Sequence, residues 1–416
     1  MESPVYCFKN PVSVVRKLSC ILVLLLACFA PEIFPICIEA IWIQKSPTSD
    51  RLYQISDGGK IGYIDQTGKI VVRTKVSAPW EFEEFGGEFH DGLILLSNYP
   101  HAEFMDLTGK RVKFENVDQA SPFSDGLASA LDKATQKWGF INTKGEFVVP
   151  PTYQRWYVPF IRPFSDGLAL IMMHDKYGFL DRTGAFAIDA QFLRAAQFQD
   201  GAARVIIEGP CKIHSEPCAS FVGEFVIPSN STKPETVPRC RYAFIDKAGH
   251  TISDQRFDDA KDFSEGLAPV MINGKWGFTD KSGAIVIQPK FDNAEPFSDG
   301  VALISQNGLF GFIGHDGTLV IEPQFKYAEG FVEGLALVGS GKFYTSDSSF
   351  WYVDHTGQRA IPDSFPLATS FFKGLAHVKL PSTEGIDPKI LWTGQFAYID
   401  RTGKRIFTYK IDQPGR

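Results

Sequence analysis

Apolar positions along this chain recur in one short alternating phrase, with polar and turn-forming residues at fixed places between them. The clearest instance is Lys275-Trp276-Gly277-Phe278-Thr279-Asp280-Lys281-Ser282-Gly283, followed by Ala284-Ile285-Val286-Ile287-Gln288-Pro289. Trp276 and Phe278 fall on one side of a period-two pattern, with Gly277 and Thr279 on the other, which predicts a β-strand. Asp-x-x-Gly predicts a turn, because Asp caps its own turn and Gly supplies the positive φ of a chain reversal. The β-branched Ile285-Val286-Ile287 predicts a returning strand. Pro289 ends it, having no amide to give to a ladder. Phe291, Ala294 and Phe297 read as a connector. Gly300-Val301-Ala302-Leu303-Ile304 predicts a third strand leading into the next copy, where Phe310 takes the place of Trp276 34 positions on.

Aligned on the Asp position, nine copies appear, anchored at Asp65, Asp106, Asn142, Asp181, Asp246, Asp280, Gly314, Asp354 and Asp400. A glycine stands three residues after every anchor, and Phe or Tyr two residues before it, from Tyr63 and Phe104 to Tyr352 and Tyr398. A second glycine recurs at Gly92, Gly126, Gly167, Gly201, Gly266, Gly300, Gly334 and Gly374, each with Phe three positions earlier. A lone meander of this size is barely stable in water, so copies must bury one another's aromatic faces. The predicted fold is all-β: nine tandem three-stranded antiparallel meanders stacked as an elongated or curved array. A closed, propeller-like toroid is the alternative, and nine three-stranded units fit it poorly because propeller blades usually have four strands. Phe in front of Ser-x-Gly is the expected plug between units, worth about 3–5 kcal/mol if fully buried.

The phrase Lys-Trp-Gly-Phe-Ile-Asp-x-x-Gly, an apolar run, then Phe-Ser-x-Gly-Leu-Ala resembles the bacterial WG-repeat family. The resemblance covers roughly Leu52 to Ile411 and is sharpest at Lys137-Trp138-Gly139-Phe140-Ile141 and Lys275-Trp276-Gly277-Phe278. Elsewhere Tyr177, Tyr242, Phe310, Phe350 and Phe396 replace Trp, and Glu103, Ala243, Trp351 and Ala397 replace Gly. The resemblance implies a repeat array and no particular catalytic activity.

Composition agrees with a packed core: 44% hydrophobic and 22% charged residues, with 36 Phe and 37 Gly. A net charge of -6, with Lys and Arg dispersed, argues against nucleic acid as a partner. The N-terminus is a separate region. Arg16 and Lys17 precede the apolar run Leu18 to Ala30, which is shorter than the roughly 20 residues a bilayer crossing needs. Residues 1–40 therefore read as an export signal or a membrane anchor. Cleavage after Ala40, lipidation at Cys28 and an uncleaved anchor all remain open. Either way the expected location is exported (periplasmic, cell-envelope or secreted), with membrane contact only through this segment.

Residues 41–416 form the array, interrupted most heavily at 207–241. Cys211, Cys218 and Cys240 cluster there and suit a disulfide in an oxidising compartment. Smaller interruptions run from Arg155 to Arg162, Ser340 to Phe350 and Pro381 to Gln395. Entering one edge of a stack, they would build a composite surface, with Trp156, Tyr157 and Trp351 as candidate ligand-binding residues. No short catalytic, phosphate-binding or metal-ligand motif is present. The anchor Asp residues, His315 and His355 read as turn residues, as do Asp125, Asp166, Asp200, Glu265, Asp299 and Glu333. No cofactor, metal or catalytic residue is implied. The expectation is a non-catalytic extracytoplasmic scaffold for a protein, peptide or envelope polymer. The alternative is a carbohydrate-active hydrolase or lyase whose groove uses Trp156, Tyr157 and Trp351.

Overall fold

In the computed structural model, residues 52–57, 60–77, 89–97, 101–154, 162–208, 241–340, 349–381 and 393–411 are described. All lie within one compact unit, Ser46–Arg416. The leader with Cys28, the pair Trp156 and Tyr157, and Cys211, Cys218 and Cys240 lie outside the described residues.

Among the described residues there are nine antiparallel sheets and no helix. They follow the nine copies in order and occupy residues 53–77, 93–112, 117–154, 164–192, 194–245, 259–291, 293–325, 327–353 and 367–411. Blade 6 shows the plan. Asp259–Ala260 pairs with Leu267–Ile272, which pairs with Lys275–Asp280, which pairs with Ile285–Phe291. The sequence-based count of three strands is one too few for most copies. The stretch read as a connector is itself a short first strand in seven blades, as at Asn293–Ser298 and Leu367–Ala368. Its brevity and its prolines hid it, since two to four pairs leave almost no alternation to detect.

The expected open stack is also corrected: the ring closes. Tyr53, Ile55 and Ile64 of blade 1 share a core with Leu367, Leu375, Phe396 and Tyr409 of blade 9. The Tyr398 hydroxyl donates to the Gln54 carbonyl at 2.6 Å, and the Gln66 amide to the Lys373 carbonyl at 2.7 Å. Nine sheets in a closed ring make a nine-bladed propeller. Closure gives the terminal blades the partner a stack would deny them.

Between blades the expected aromatic plugs are in place. Phe123, Phe164, Phe198, Phe263, Phe297, Phe331 and Phe371 are all at most 2% exposed. Each meets the aromatic two residues before the preceding blade's anchor, as Phe198 of blade 5 meets Phe179 of blade 4 at 4.7 Å and Phe297 of blade 7 meets Phe278 of blade 6 at 5.0 Å. These contacts bury the aromatic face that one blade could not bury alone.

The Trp-Gly glycine has a steric cause. In blade 6, Phe278 pairs with Ile287 and Trp276 with Phe291, so the returning strand spends four residues against two and bulges over Gly277. A Cβ there would lie 2.4 Å from the Ile287 carbonyl oxygen and 2.7 Å from the Pro289 nitrogen. Gly139, Gly178 and Gly311 meet the same backbone at 2.4–2.7 Å. Where Glu103, Ala243 or Trp351 replaces the glycine, the returning chain is a two-residue strand, Arg111–Val112, or isolated bridges only. Blade 9, with Ala397, keeps a full returning strand without that bulge. The glycine is therefore a requirement of the bulged strand.

Candidate binding face

Alternating strand directions sort the loops of every blade. The turns from first to second strand and from third to fourth share one end of the ring; the hairpins from second to third and the links between blades share the other. The two ends differ sharply.

At the first end the described turns are short, and most are stapled to a neighbouring blade. The residue before each second glycine has positive φ, 51° to 56° at Asp91, Asp125, Asp166, Asp200, Glu265, Asp299 and Glu333, as does the glycine itself. Two successive positive φ values make the tight turn that matches strand twist. Asp and Glu do more there than turn the chain. Their carboxylates accept the next blade's glycine N–H: Asp91 from Gly126 at 2.9 Å, Asp166 from Gly201 and Asp200 from Gly266 at 2.7 Å. Glu265, Asp299 and Glu333 do the same for Gly300, Gly334 and Gly374.

In seven blades the residue after the anchor reaches back to the same turns. Lys281 meets Asp200 at 2.7 Å, His315 meets Glu265 at 3.3 Å, and Arg401 donates to the Glu333 carbonyl at 2.8 Å. His315 and His355 lie in turns, as expected, stacked at 4.1 Å on Phe297 and Phe331. At the seam the polarity changes: Lys373 holds the acidic position and neutral Gln66 the basic one. The anchor aspartates cap their own turns. Hydrogen bonds from the Thr67, Thr108, Thr183 and Thr356 hydroxyls hold Asp65, Asp106, Asp181 and Asp354 below the usual carboxylate range.

At the opposite end the described strands lead into every long interruption. Ala203–Glu208 and Arg241–Ile245 flank 209–240; Ala336–Gly339 and Phe350–Val353 flank 341–348; Leu375–Lys379 and Gly394–Asp400 flank 382–392. Residues 155–161 join blades 3 and 4 at this same end. The described strands on either side of each interruption thus end at one face of the ring. Of the three aromatic candidates, only Trp351 is described. It occupies the glycine position of blade 8, half-buried, with the Arg359 guanidinium 4.7 Å from its ring centroid and Phe325 at 6.4 Å. One face of that ring is taken by Arg359.

Sequence reasoning missed a polar layer on the first strands. These strands touch from blade to blade: Ser165 bonds the Phe198 carbonyl at 2.6 Å and Ser264 the Phe297 carbonyl at 2.7 Å. In a ring of radiating sheets, the strands that converge are those nearest the axis. One position after the repeat alanine, which is Ile161 in blade 4, this layer reads Ser121, Arg162, Ala196, Lys261, Glu295, Glu329 and Thr369 from blade 3 to blade 9. Opposite Ala196 stands Arg204, so blade 5 carries its cation on the second strand. Lys261 meets Glu295 at 2.5 Å and lies 5.2 Å from the Trp276 ring centroid.

Blade 5 departs from this pattern in one further way. Arg194, Ala196, Arg204, Ile206 and Tyr242 line a shallow recess of about 10 Å³, room for one water molecule. Arg194 donates to the Tyr177 hydroxyl at 3.2 Å, and Arg204 sits 5.9 Å from the Tyr242 ring centroid. Arg204 also donates to the Ala260 carbonyl and lies 3.5 Å from Asp262. That Asp262 oxygen is buried without a hydrogen bond, and burial pushes the carboxyl upward. Burial likewise raises the Tyr242 phenol, aided by Asp259 and opposed by both arginines. Among the described residues no group of His, Cys, Asp and Glu is placed to hold a metal.

A closed ring of radiating sheets is a propeller scaffold, and comparison with known proteins agrees. The family described as "WG containing repeat" matches residues 138–177, 177–209, 242–276, 276–310 and 310–341. Over these five stretches the chain is similar to that repeat. The solved crystal structure of the eukaryotic initiation factor is similar with a TM-score of 0.54 at 12% identity, covering 86% of this chain and 95% of that one. Dihydro-heme d1 dehydrogenase NirN in complex with DHE gives a TM-score of 0.38 at 11% identity, covering 91% and 76%. At such identities the first similarity concerns fold alone, and nothing is drawn from the second. No curated protein matches the sequence.

Proposed function

We propose that this protein is a non-catalytic binding scaffold that works outside the cytoplasm, presenting the interrupted face of its ring to a protein, peptide or envelope polymer. The observation that carries this reading is the division of labour between the two ends. One end spends its charged side chains on joining blade to blade, while the other admits every long interruption. Loops on a rigid scaffold are where binding residues concentrate, and a stapled ring provides that rigidity. The extracytoplasmic part rests on the N-terminal charge and apolar pattern, and on Cys211, Cys218 and Cys240 as candidates for one disulfide.

The test is a binding and turnover screen of purified protein against defined glycans and peptides. Saturable binding without product formation is expected. Turnover that one carboxylate substitution abolishes would overturn the scaffold reading and favour the carbohydrate-active alternative.

A further inference from the structure

The fourth strands form the rim of the ring, and their free edges are not alike. In blades 1, 3, 4, 6 and 7 the fourth strand bulges midway, and Pro150, Pro151, Pro289 and Pro323 remove amides from three of these. Blade 2 has only two residues there, and blades 5 and 8 only isolated bridges. Bulges, prolines and short strands are the devices that keep an edge from pairing with another chain. Blade 9 lacks them beyond a one-residue bulge at Ile406. Residues 407–411 pair one for one with 394–398, contain no proline and end their sheet. The two faces of this edge differ. Phe407, Tyr409 and Ile411 pack toward blade 1, with Phe407 and Ile411 half-buried. Arg405 and Thr408 lie opposite Ile399 and Ala397, on the blade 8 side, and are exposed. The Arg405 guanidinium meets no partner among the described residues. Arg405–Ile411 carries Arg405 and Lys410 and no acidic residue, whereas Phe186–Phe192 and Leu319–Phe325 carry Asp189 and Glu322.

We propose that the free edge of Arg405–Ile411 takes up an extended acidic segment of a partner protein as a further strand of blade 9. Its apolar side chains lie beside Phe407 and Ile411, and a carboxylate lies beside Arg405. Strand addition draws affinity from main-chain hydrogen bonds and specificity from alternate side chains, and this edge offers an apolar row and a cationic row in alternation. A second copy of the chain fits poorly. Antiparallel self-pairing over 405–410 sets Arg405 against Lys410, and like charges directly opposite destabilise a ladder. The same charges favour an acidic strand. Lys410 contributes only its charge, since it already has a partner; recognition falls to Arg405. This surface lies on the rim, apart from the interrupted face, and does not depend on what that face binds.

The experiment titrates the full chain with two labelled, end-capped heptapeptides, one alternating valine with glutamate and one valine with lysine, read by fluorescence anisotropy at low and at moderate salt. Hydrogen exchange on the complex locates the contact. The glutamate peptide should bind several-fold tighter than the lysine peptide, weaken with salt, and slow exchange within 405–411. Proline at its centre should abolish binding. Arg405→Glu should weaken the glutamate peptide by about three- to tenfold and strengthen the lysine peptide, with Arg405→Gln in between. Lys290→Glu, on the edge of blade 6, should change nothing. Arg405 is exposed and unpaired, so its variants should fold, which thermal unfolding checks. Four results each overturn the proposal: no peptide bound, binding indifferent to Arg405→Glu, protection outside 405–411, or a dimer in sedimentation that protects this edge. A chain that binds a glycan or protein but neither peptide would refute the rim site and leave the scaffold reading in place.

Discussion

Replacing Gly277 by alanine tests the steric reading of the Trp-Gly pair. The added Cβ would lie 2.4 Å from the Ile287 carbonyl oxygen, 2.9 Å from the Gln288 carbonyl carbon and 2.7 Å from the Pro289 nitrogen. All three are backbone atoms, so no rotamer change relieves the overlap; the returning strand Ile285–Phe291 must move or lose its bulge. Overpacking a well-filled site costs about 1–3 kcal/mol, occasionally more. Because the clash is with backbone, the upper part of that range applies. Alanine gives back about 0.4–1 kcal/mol by restricting the unfolded chain. The expected net loss is about 2 kcal/mol, or roughly 3 °C in Tm for a domain of this size. Hydrogen exchange should localise the damage to Ile285–Phe291 and spare blades 2 and 3. Ala243→Gly, at the equivalent position of a blade whose returning chain pairs only through isolated bridges, should cost no more than about 1 kcal/mol, an ordinary glycine penalty. If Gly277→Ala proves as stable as the parent, with unchanged exchange in that strand, the reasoning is refuted.

Three further outcomes are expected. Asp200→Gly keeps the positive φ of its turn but removes the acceptor for Gly266 N–H and the partner of Lys281; because the site is partly solvated, the loss in a thermal melt should be only about 1 kcal/mol. Burial pushes His377 down to about 4, and its ring lies against Phe396, Tyr398 and Tyr409. Above pH 6.5 the imidazole is neutral in both states and its stability contribution is complete. As pH falls from 6.5 to 4 the unfolded chain takes up the proton first, so roughly 3 kcal/mol at most is lost. His377→Gln should flatten the pH dependence of urea unfolding across that window, and an unchanged slope would refute the assignment. Phe297→Ala, which removes a fully buried plug, should cost about 3–5 kcal/mol.

Much of this architecture is legible in the sequence because its period is set by residues with one conformational use each. The Asp-x-x-Gly turn, the Tyr or Phe two residues before it and the Phe before each second glycine all occupy their expected places. The short first strands were illegible because Asn293–Ser298 makes few ladder pairs around Pro296 and shows no sustained alternation. Closure was illegible because it joins Gln54 to Tyr398, 344 residues apart, although Lys373 in an acidic series marked the seam. The replacements of glycine at Glu103, Ala243 and Trp351 carried more information than their rarity suggested: each marks a blade whose returning strand is short or broken. The blade 5 recess depends on Arg204 being paired opposite Ala196, a cross-strand relation that no local pattern reveals.

The most direct test of the closed ring is the distance between its ends. Spin labels at positions 66 and 373, in a chain cleared of native cysteines, should report a single separation below roughly 20 Å, because those residues touch across the seam. Nine sheets stacked in a row at about 10 Å spacing would hold the same labels roughly 80 Å apart, and that result would contradict the account.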